Sequence, residues 1–291
     1  MRSIIVGMGI GSLYKDVLTN LGYSVVTVDP FKPADFKSVD DAINAHNYFD
    51  TAHICTPNFT HQTIARQLAT RSYLIFVEKP GVENAESWMN LITDFPSTRF
   101  MMVKNNQWRS NINDMKKLVS QSKSVSINWI NKDRVPSPGS WFTTNNLAYG
   151  GVSRDLTPHL LSIFMALEPN YFSAQNLCNI KSQNWSLPQL VNTDYGTVNL
   201  DGTYDVDDYH QLQFKYDNRI WNITANWRSM DSNKIDIEFE MNDGSIETIP
   251  LGLCPEEAYQ NMIEHAMLNH NNSKFWYAQF IQDYWIHGII Q

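Results

Sequence analysis

Val6-Gly7-Met8-Gly9-Ile10-Gly11-Ser12 is the stretch whose reading decides the fold. It follows an apolar run, Ile4 to Val6, and precedes a helical pattern from about Ser12 to Leu21. A chain that leaves a strand and enters a helix through glycines turns tightly and exposes its backbone N–H groups. The helix N-terminus adds partial positive charge, so the loop suits the pyrophosphate of a dinucleotide. Against the pattern G-x-G-x-x-G, Gly7 and Gly9 fill the first two positions and Ser12 holds the third, with Gly11 an extra glycine. Serine is small enough for the close helix–strand packing that the third position requires.

The next strand pattern, Ser24 to Val28, runs into Asp29, 22 positions after Gly7. A carboxylate there accepts hydrogen bonds from the adenosine ribose hydroxyls and repels a 2′-phosphate. NAD is therefore the expected cofactor, with Lys32 close enough to leave NADP open.

Further along, short apolar runs alternate with helical stretches. Ala52 to Cys55 precedes a helix from Thr60 to Ala69, Tyr73 to Val77 one through Ser87 to Thr93, and Arg99 to Val103 one near Ile112 to Val119. This alternation predicts an α/β fold with a doubly wound parallel sheet, a Rossmann domain over residues 1–120. Beyond it, strand patterns follow one another at Ser124 to Ile130, His210 to Tyr216, Arg219 to Trp227 and Ile235 to Met241. Asp217-Asn218 and Asn242-Asp243-Gly244 supply turns. Residues 121–291 are expected to form an α+β domain on a largely antiparallel sheet. One helix, Asp155 to Leu167, precedes the strands and another, Phe275 to Ile290, closes the chain.

Composition excludes several classes. The 291 residues are 43% hydrophobic and 18% charged, which suits a buried core, and the net charge of −8 offers no basic face to nucleic acid. No apolar run reaches the roughly 20 residues needed to span a bilayer. Cys55, Cys178 and Cys254 are far apart and odd in number, with neither metal-ligand spacing nor a disulfide framework. A cytoplasmic protein with no metal and a small-molecule ligand is expected.

Two more segments carry a family resemblance. One is Ile54-Cys55-Thr56-Pro57-Asn58, with His61 after it, followed by Phe76-Val77-Glu78-Lys79-Pro80. The other is Tyr149-Gly150-Gly151-Val152-Ser153-Arg154-Asp155-Leu156-Thr157-Pro158-His159. Together with the glycine loop they resemble the glucose–fructose oxidoreductase / inositol dehydrogenase (Gfo/Idh/MocA) family of NAD(P)-dependent oxidoreductases, in order from the first strand to about residue 165. The resemblance implies that Gly7, Gly9, Gly11, Ser12, Asp29, Thr56, Pro57, Asn58, His61, Glu78 and Lys79 line the cofactor. It also implies that Lys79, Asp155 and His159 are catalytic, with His159 the general acid/base. Asn106, Trp141, Asp155 and His159 would contact substrate, and the second domain's sheet would form a homodimer or tetramer.

The chemistry makes independent sense. Oxidising a secondary alcohol sends hydride to the cofactor and a proton to a nearby base. Imidazole titrates in the right range, and an ammonium stabilises charge on the oxygen. The implied activity is hydride transfer between nicotinamide and a hydroxyl or carbonyl carbon of a sugar, polyol or related small molecule. The residues alone also allow blander roles: Asp155 as a helix N-cap, His159 as a satisfied interfacial histidine, Lys79 as a solvated loop lysine and Trp141 as packing. Two departures stand out, Gln107 where relatives carry arginine and Ser162 where they carry aspartate. They keep open a non-catalytic dinucleotide sensor, and the aromatic residues Trp221, Trp227, Tyr209 and Tyr216 leave room for a reductase of a tetrapyrrole or imine.

Overall fold

A computed structural model describes residues 1–190, 196–230 and 233–291. In chain order the first elements are β1 (Arg2–Val6), α1 (Gly11–Asn20), β2 (Ser24–Val28), α2 (Val39–Ala45), β3 (Phe49–Ile54), α3 (His61–Ala69), β4 (Ser72–Val77), α4 (Ala85–Asp94) and β5 (Arg99–Met102). Next come α5 (Ile112–Val119), β6 (Ser122–Lys132), α6 (Asn145–Ala148), α7 (Val152–Asp155), α8 (Thr157–Leu167), β7 (Gln175–Ser182), β8 (Tyr209–Tyr216), β9 (Arg219–Ser229), β10 (Lys234–Met241) and β11 (Ile246–Pro250). Two helices end the chain, α9 (Glu256–Leu268) and α10 (Ser273–Ile290).

The chain divides into two compact units, Met1–Val103 with Glu256–Ile289 and Gln291, and Lys104–Pro255 with Ile290. The division thus falls before α5, not at residue 120, and the terminal helices rejoin the first unit. Their sequence could not show this because the contacts are long-range. Asp283 of α10 accepts the Met102 N–H at the end of β5 (3.0 Å), and Tyr259 of α9 meets Tyr14 of α1 edge-on, centroids 5.3 Å apart.

The first unit holds a five-stranded sheet in the order β2-β1-β3-β4-β5, all pairs parallel. This is a doubly wound order whose direction reverses between β1 and β3, where such sheets take ligands beyond their carboxyl ends. Register sharpens the point. Val6 pairs with both Val28 and Ile54, and Ile54 pairs with Val77. Gly7, Asp29, Cys55 and Glu78 therefore leave the sheet at one level. The strands are buried on both faces, hence their continuous apolar runs.

Helix α1 buries Gly11, Tyr14, Val17 and Leu18, a single helical stripe. It ends on Gly22, at φ +78°, with the Tyr23 N–H bonded to Leu18 O and the Gly22 N–H to Thr19 O. That paired C-terminal closure requires a left-handed residue, which glycine supplies without strain. Helix α2 fills a stretch with no strong apolar period; the Ser38 hydroxyl caps it, accepting the Asp41 N–H (3.1 Å).

The second unit carries a six-stranded sheet, β11-β10-β6-β9-β8-β7, antiparallel throughout except for the parallel pair β6/β9. Nine of the eleven residues of α8 are buried, so this helix is apolar on nearly every side. Its Phe164 stacks on Phe214 of β8 at 5.1 Å and meets Trp221 of β9 at 5.0 Å. The expected turn at Asp217-Asn218 joins β8 to β9, and Asn242-Asp243-Gly244 leads into β11, which the sequence pattern did not reveal. Among the described residues, no helix is long and apolar enough to cross a membrane.

Candidate functional site

The glycine loop is shaped by its own packing at two of its three glycines. Gly7 has φ +93°, and a Cβ there would lie 2.6 Å from the Cys55 carbonyl oxygen. A Cβ on Gly11 would lie 2.8 Å from Ile5 Cγ2. At Gly9 the nearest atom to a Cβ would be Lys32 Nζ at 3.9 Å, so no protein atom demands glycine there. That is the position where a pyrophosphate approaches the backbone in such loops. No side chain caps α1 and its first turn carries no acid, which leaves the positive end of the helix to an anion. Ser12 turns its hydroxyl back onto Gly9 O (2.9 Å), which accounts for serine at the third position.

Asp29 is clamped to this loop. One carboxylate oxygen accepts the Met8 N–H (2.7 Å), and the other accepts those of Phe31 and Lys32 (2.8 Å each). Burial pushes its carboxyl up, but the amides of Lys32, Met8 and Phe31 and the Lys32 charge outweigh it and hold it below the usual carboxylate range. Lys32 Nζ donates to Met8 O (3.2 Å), beside the same loop.

Glu78 and His61 act as internal ties. Glu78 Oε1 accepts the buried Tyr14 hydroxyl (2.8 Å) and Oε2 accepts the Lys79 N–H (3.2 Å), joining the end of β4 to α1. His61 is fully buried, with Nδ1 2.7 Å from Gly81 O and Nε2 2.8 Å from Thr56 O. It fastens the Thr56-Pro57-Asn58 turn to the segment after Lys79-Pro80. Burial lowers its pKa, and the two carbonyl contacts oppose that shift. Thr60 Oγ1 adds bonds to Thr56 Oγ1 (2.6 Å) and Pro57 O (2.7 Å), and Asn58 begins the 3-10 turn Asn58–Thr60.

In the second unit the Gly150-Gly151 pair has a steric reason. A Cβ on Gly151 would lie 1.8 Å from Asp207 O. Asp207 also accepts from the Gly151 N–H (3.0 Å), the Ser153 N–H (2.8 Å) and the Ser153 hydroxyl (2.9 Å), while its carbonyl takes the Val152 N–H (2.8 Å). These bonds start α7 and so place Asp155 at its end. The helix expected over Asp155 to Leu167 is broken at Leu156, with Pro158 in the first turn of α8. Helical spacing therefore does not by itself pair Asp155 with His159, and Asp155 is not a side-chain cap of α8.

Each has a further contact in the second unit. Asp155 Oδ2 accepts the Trp227 indole N–H (2.9 Å). His159 Nδ1 lies 3.3 Å from Asn106 Nδ2, and its ring tilts over Trp129 at 5.6 Å. Asn106 Oδ1 in turn accepts from Arg109 Nε (2.8 Å), whose other nitrogens donate to Leu251 O (2.7 Å) and Gly252 O (3.2 Å). Trp141 opens the 3-10 turn Trp141–Thr143 and stacks on Phe142 at 3.9 Å. Ser162 bonds back to His159 O (2.7 Å), within its own helix.

Sequence reading missed Tyr14, Arg109, Trp129, Asp207 and the part Trp227 plays. Arg109 had a local signal, three residues after Asn106 in the 3-10 turn Asn105–Trp108 and its exit, but counting along the chain put Gln107 at the arginine position. Asp207 had none, since its partner Gly151 is 56 residues away.

Residues 24–103 match the model of the oxidoreductase family with an NAD-binding Rossmann fold (GFO_IDH_MocA). Over 117 residues the chain is 27% identical to the "Putative UDP-kanosamine synthase oxidoreductase subunit" of Amycolatopsis mediterranei (strain S699), covering 38% of this chain and 32% of that relative. The matched segment thus spans about a third of the curated relative's length. Among solved structures, GenD2 from gentamicin A biosynthesis, in complex with NAD, superposes with TM-score 0.74 at 15% identity over 99% of this chain and 92% of its own. Levoglucosan dehydrogenase in complex with NADH and levoglucosan gives 0.71 at 16%, over 100% and 95%. A myo-inositol dehydrogenase from Corynebacterium glutamicum gives 0.70 at 14%, over 100% and 94%. At these identities the likeness establishes a shared fold.

Proposed function

We propose, from the premise that this chain belongs through residues 24–103 to the oxidoreductase family with an NAD-binding Rossmann fold, that it is an NAD-dependent dehydrogenase or reductase. Its substrate in this reading is a sugar, polyol or related small molecule with a hydroxyl or carbonyl carbon. The observation that carries the proposal is Asp29, set by three backbone amides beside the glycine loop at the switch point of the sheet. A carboxylate has about four lone-pair sites, so it keeps capacity for a ribose hydroxyl. Its charge also favours NAD over NADP, while Lys32 keeps NADP a weaker option.

The nicotinamide, when bound, accepts or gives hydride. The glycine loop (Gly7, Gly9, Gly11, Ser12) and Asp29 bind the dinucleotide. Thr56, Pro57 and Asn58 line it, with His61 and Glu78 holding the segments on either side. Lys79, Asp155 and His159 serve the reacting oxygen, and Asn106 and Trp141 help hold the substrate. The sheet of the second unit is the proposed face for a homodimer or tetramer. The wide spacing and odd number of Cys55, Cys178 and Cys254 support a cytoplasmic setting. Neither the sensor nor the tetrapyrrole or imine reading has a specific observation in its favour.

The test is spectrophotometric, with a panel of polyols, sugars and their carbonyl counterparts. Wild type is expected to turn over at least one of them with NAD(H). His159→Ala is expected to bind NADH as wild type does and to lose turnover, and Lys79→Ala is expected to lose turnover as well. Equal turnover in both variants would refute the assigned roles.

A further inference from the structure

Helix α10 is apolar on nearly every side, and one of those sides faces solvent. From Phe275 to Ile289 it has a single carboxylate, Asp283, and a single imidazole, His287, and both are buried on the inner side with Trp276 and Ile286. On the outer side Tyr277 is 67% exposed and Tyr284 43% exposed, Gly288 is exposed, and Phe280 and Ile281 are half-buried between them. The Phe280 and Tyr284 rings lie 5.9 Å apart. In a chain that is 18% charged, this outer side has no charged residue from Phe275 to Ile289. A helix face left to water ordinarily carries charge, and an apolar one is covered. Tyr277, Ile281, Tyr284 and Gly288 are spaced by four, three and four residues, the seam along which two helices interlock.

The seam complements itself. Reversal about its middle, between residues 282 and 283, sets Ile281 against Tyr284 and Tyr277 against Gly288. A Cβ on Gly288 would meet nothing within 4 Å, so the gap at the glycine is open. It lies about 16 Å along the helix from Tyr277. In a two-fold contact the tyrosine ring of each copy fills the gap of the other, once at each end. Charge agrees with this direction. Lys274 is exposed at the start of α10, where the positive end of its own helix disfavours a cation, and no acid in the first turn offsets it. Antiparallel pairing brings it beside the C-terminal end of the other copy's α10, which carries partial negative charge.

We propose that the outer seam of α10 is an interface between two copies of this chain, formed by an antiparallel pair of α10 helices. The seam belongs to the first unit and is separate from the sheet proposed above as an assembly face. It does not rest on the dehydrogenase reading. Two single helices cover less than the roughly 800 Å² per partner of a standard interface, so association is expected to depend on concentration.

Sedimentation velocity of the full chain between about 1 and 100 μM reads this step. Wild type is expected to show a reversible rise in mass with concentration. Tyr277→Glu places a charge in the seam, and Gly288→Gln fills the gap without meeting another atom of its own chain. Each is expected to weaken association by roughly tenfold or more, with Tm and NADH binding as in wild type. Gln213→Lys, on β8 of the sheet, is expected to leave the step in place. Association undiminished in both α10 variants overturns the proposal, and its loss in Gln213→Lys alone assigns the contact to the sheet. A wild-type chain that stays monomeric throughout also overturns it and leaves the seam to a different protein.

Discussion

Asp29 accepts three backbone N–H groups with its two oxygens, and an amide cannot do the same. In Asp29→Asn, whichever way the side chain turns, an NH2 group meets a backbone N–H of Met8 or of the Phe31/Lys32 pair. Hydrogen bonds to a charged group are each worth about 1.5–3 kcal/mol. The glycine loop would lose its anchor and, in the role proposed for Asp29, the ribose its acceptor. NADH affinity is expected to fall by roughly 10- to 100-fold, measured by titration calorimetry. An unchanged affinity would remove Asp29 from the cofactor site. A second residue-scale prediction concerns Gly151, where a methyl group would sit 1.8 Å from Asp207 O. Gly151→Ala must push α7 away from its clamp. A loss of a few kcal/mol of stability is expected, seen in urea unfolding. These residues differ in how far the sequence reveals them. Gly7, Gly9 and Asp29 follow from local order, because a strand, a loop and a helix adjoin them. Asp207 does not, because its role is set by a distant loop.

At the scale of elements, strands and helices with strong periodicity were legible to within a few residues. Helix α5 and strand β2 fall where the pattern puts them. The misses have physical reasons. Helix α2 is seven residues long, too short to show a period, and is held by its Ser38 cap. The helix expected from Asp155 splits at Leu156 because Pro158, in the first turn of α8, has no N–H to continue the ladder. Strand β11 is mostly exposed, so it lacks an apolar face to read. One tie between elements is testable. Tyr14 of α1 donates to Glu78 at the end of β4, and both are buried. Tyr14→Phe leaves the Glu78 carboxylate one donor short inside the protein. A cost of about 1–3 kcal/mol is expected, with weaker NADH binding because the glycine-loop helix loses its link to β4. Stability and NADH affinity equal to wild type would show that the tie does not hold the loop.

For the molecule as a whole, the sequence conveyed fold class and sheet types, since these rest on local alternation. It could not convey that α9 and most of α10 rejoin the first unit, because the bonds responsible link residues as far apart as Met102 and Asp283. Acid stability is also a property of the whole chain. His53 is fully buried between Tyr14 and Phe76, neither ring nitrogen has a partner among the described residues, and burial lowers its pKa to about 3. His210 is lowered to about 4, chiefly by burial, with Asp207 raising it and Lys181 lowering it further. Unfolded histidine takes up a proton near pH 6.5. Both groups are depressed in the folded state, so their penalty is absent above that pH. As pH falls through 6.5 towards 4, each is expected to remove about 1.4 kcal/mol of stability per pH unit. His53→Leu should flatten that slope and leave stability at pH 7 no lower, since an unpartnered imidazole gives way to an apolar side chain. An acid slope the same in His53→Leu as in wild type would contradict this.

The most direct test of the central claim is nicotinamide absorbance, followed while wild type and His159→Ala are each given NAD or NADH with the panel of polyols, sugars and carbonyl compounds. The account predicts turnover of at least one substrate by wild type and its loss in His159→Ala, with NADH binding retained by both. Tight NADH binding by wild type without turnover of any of them would contradict it.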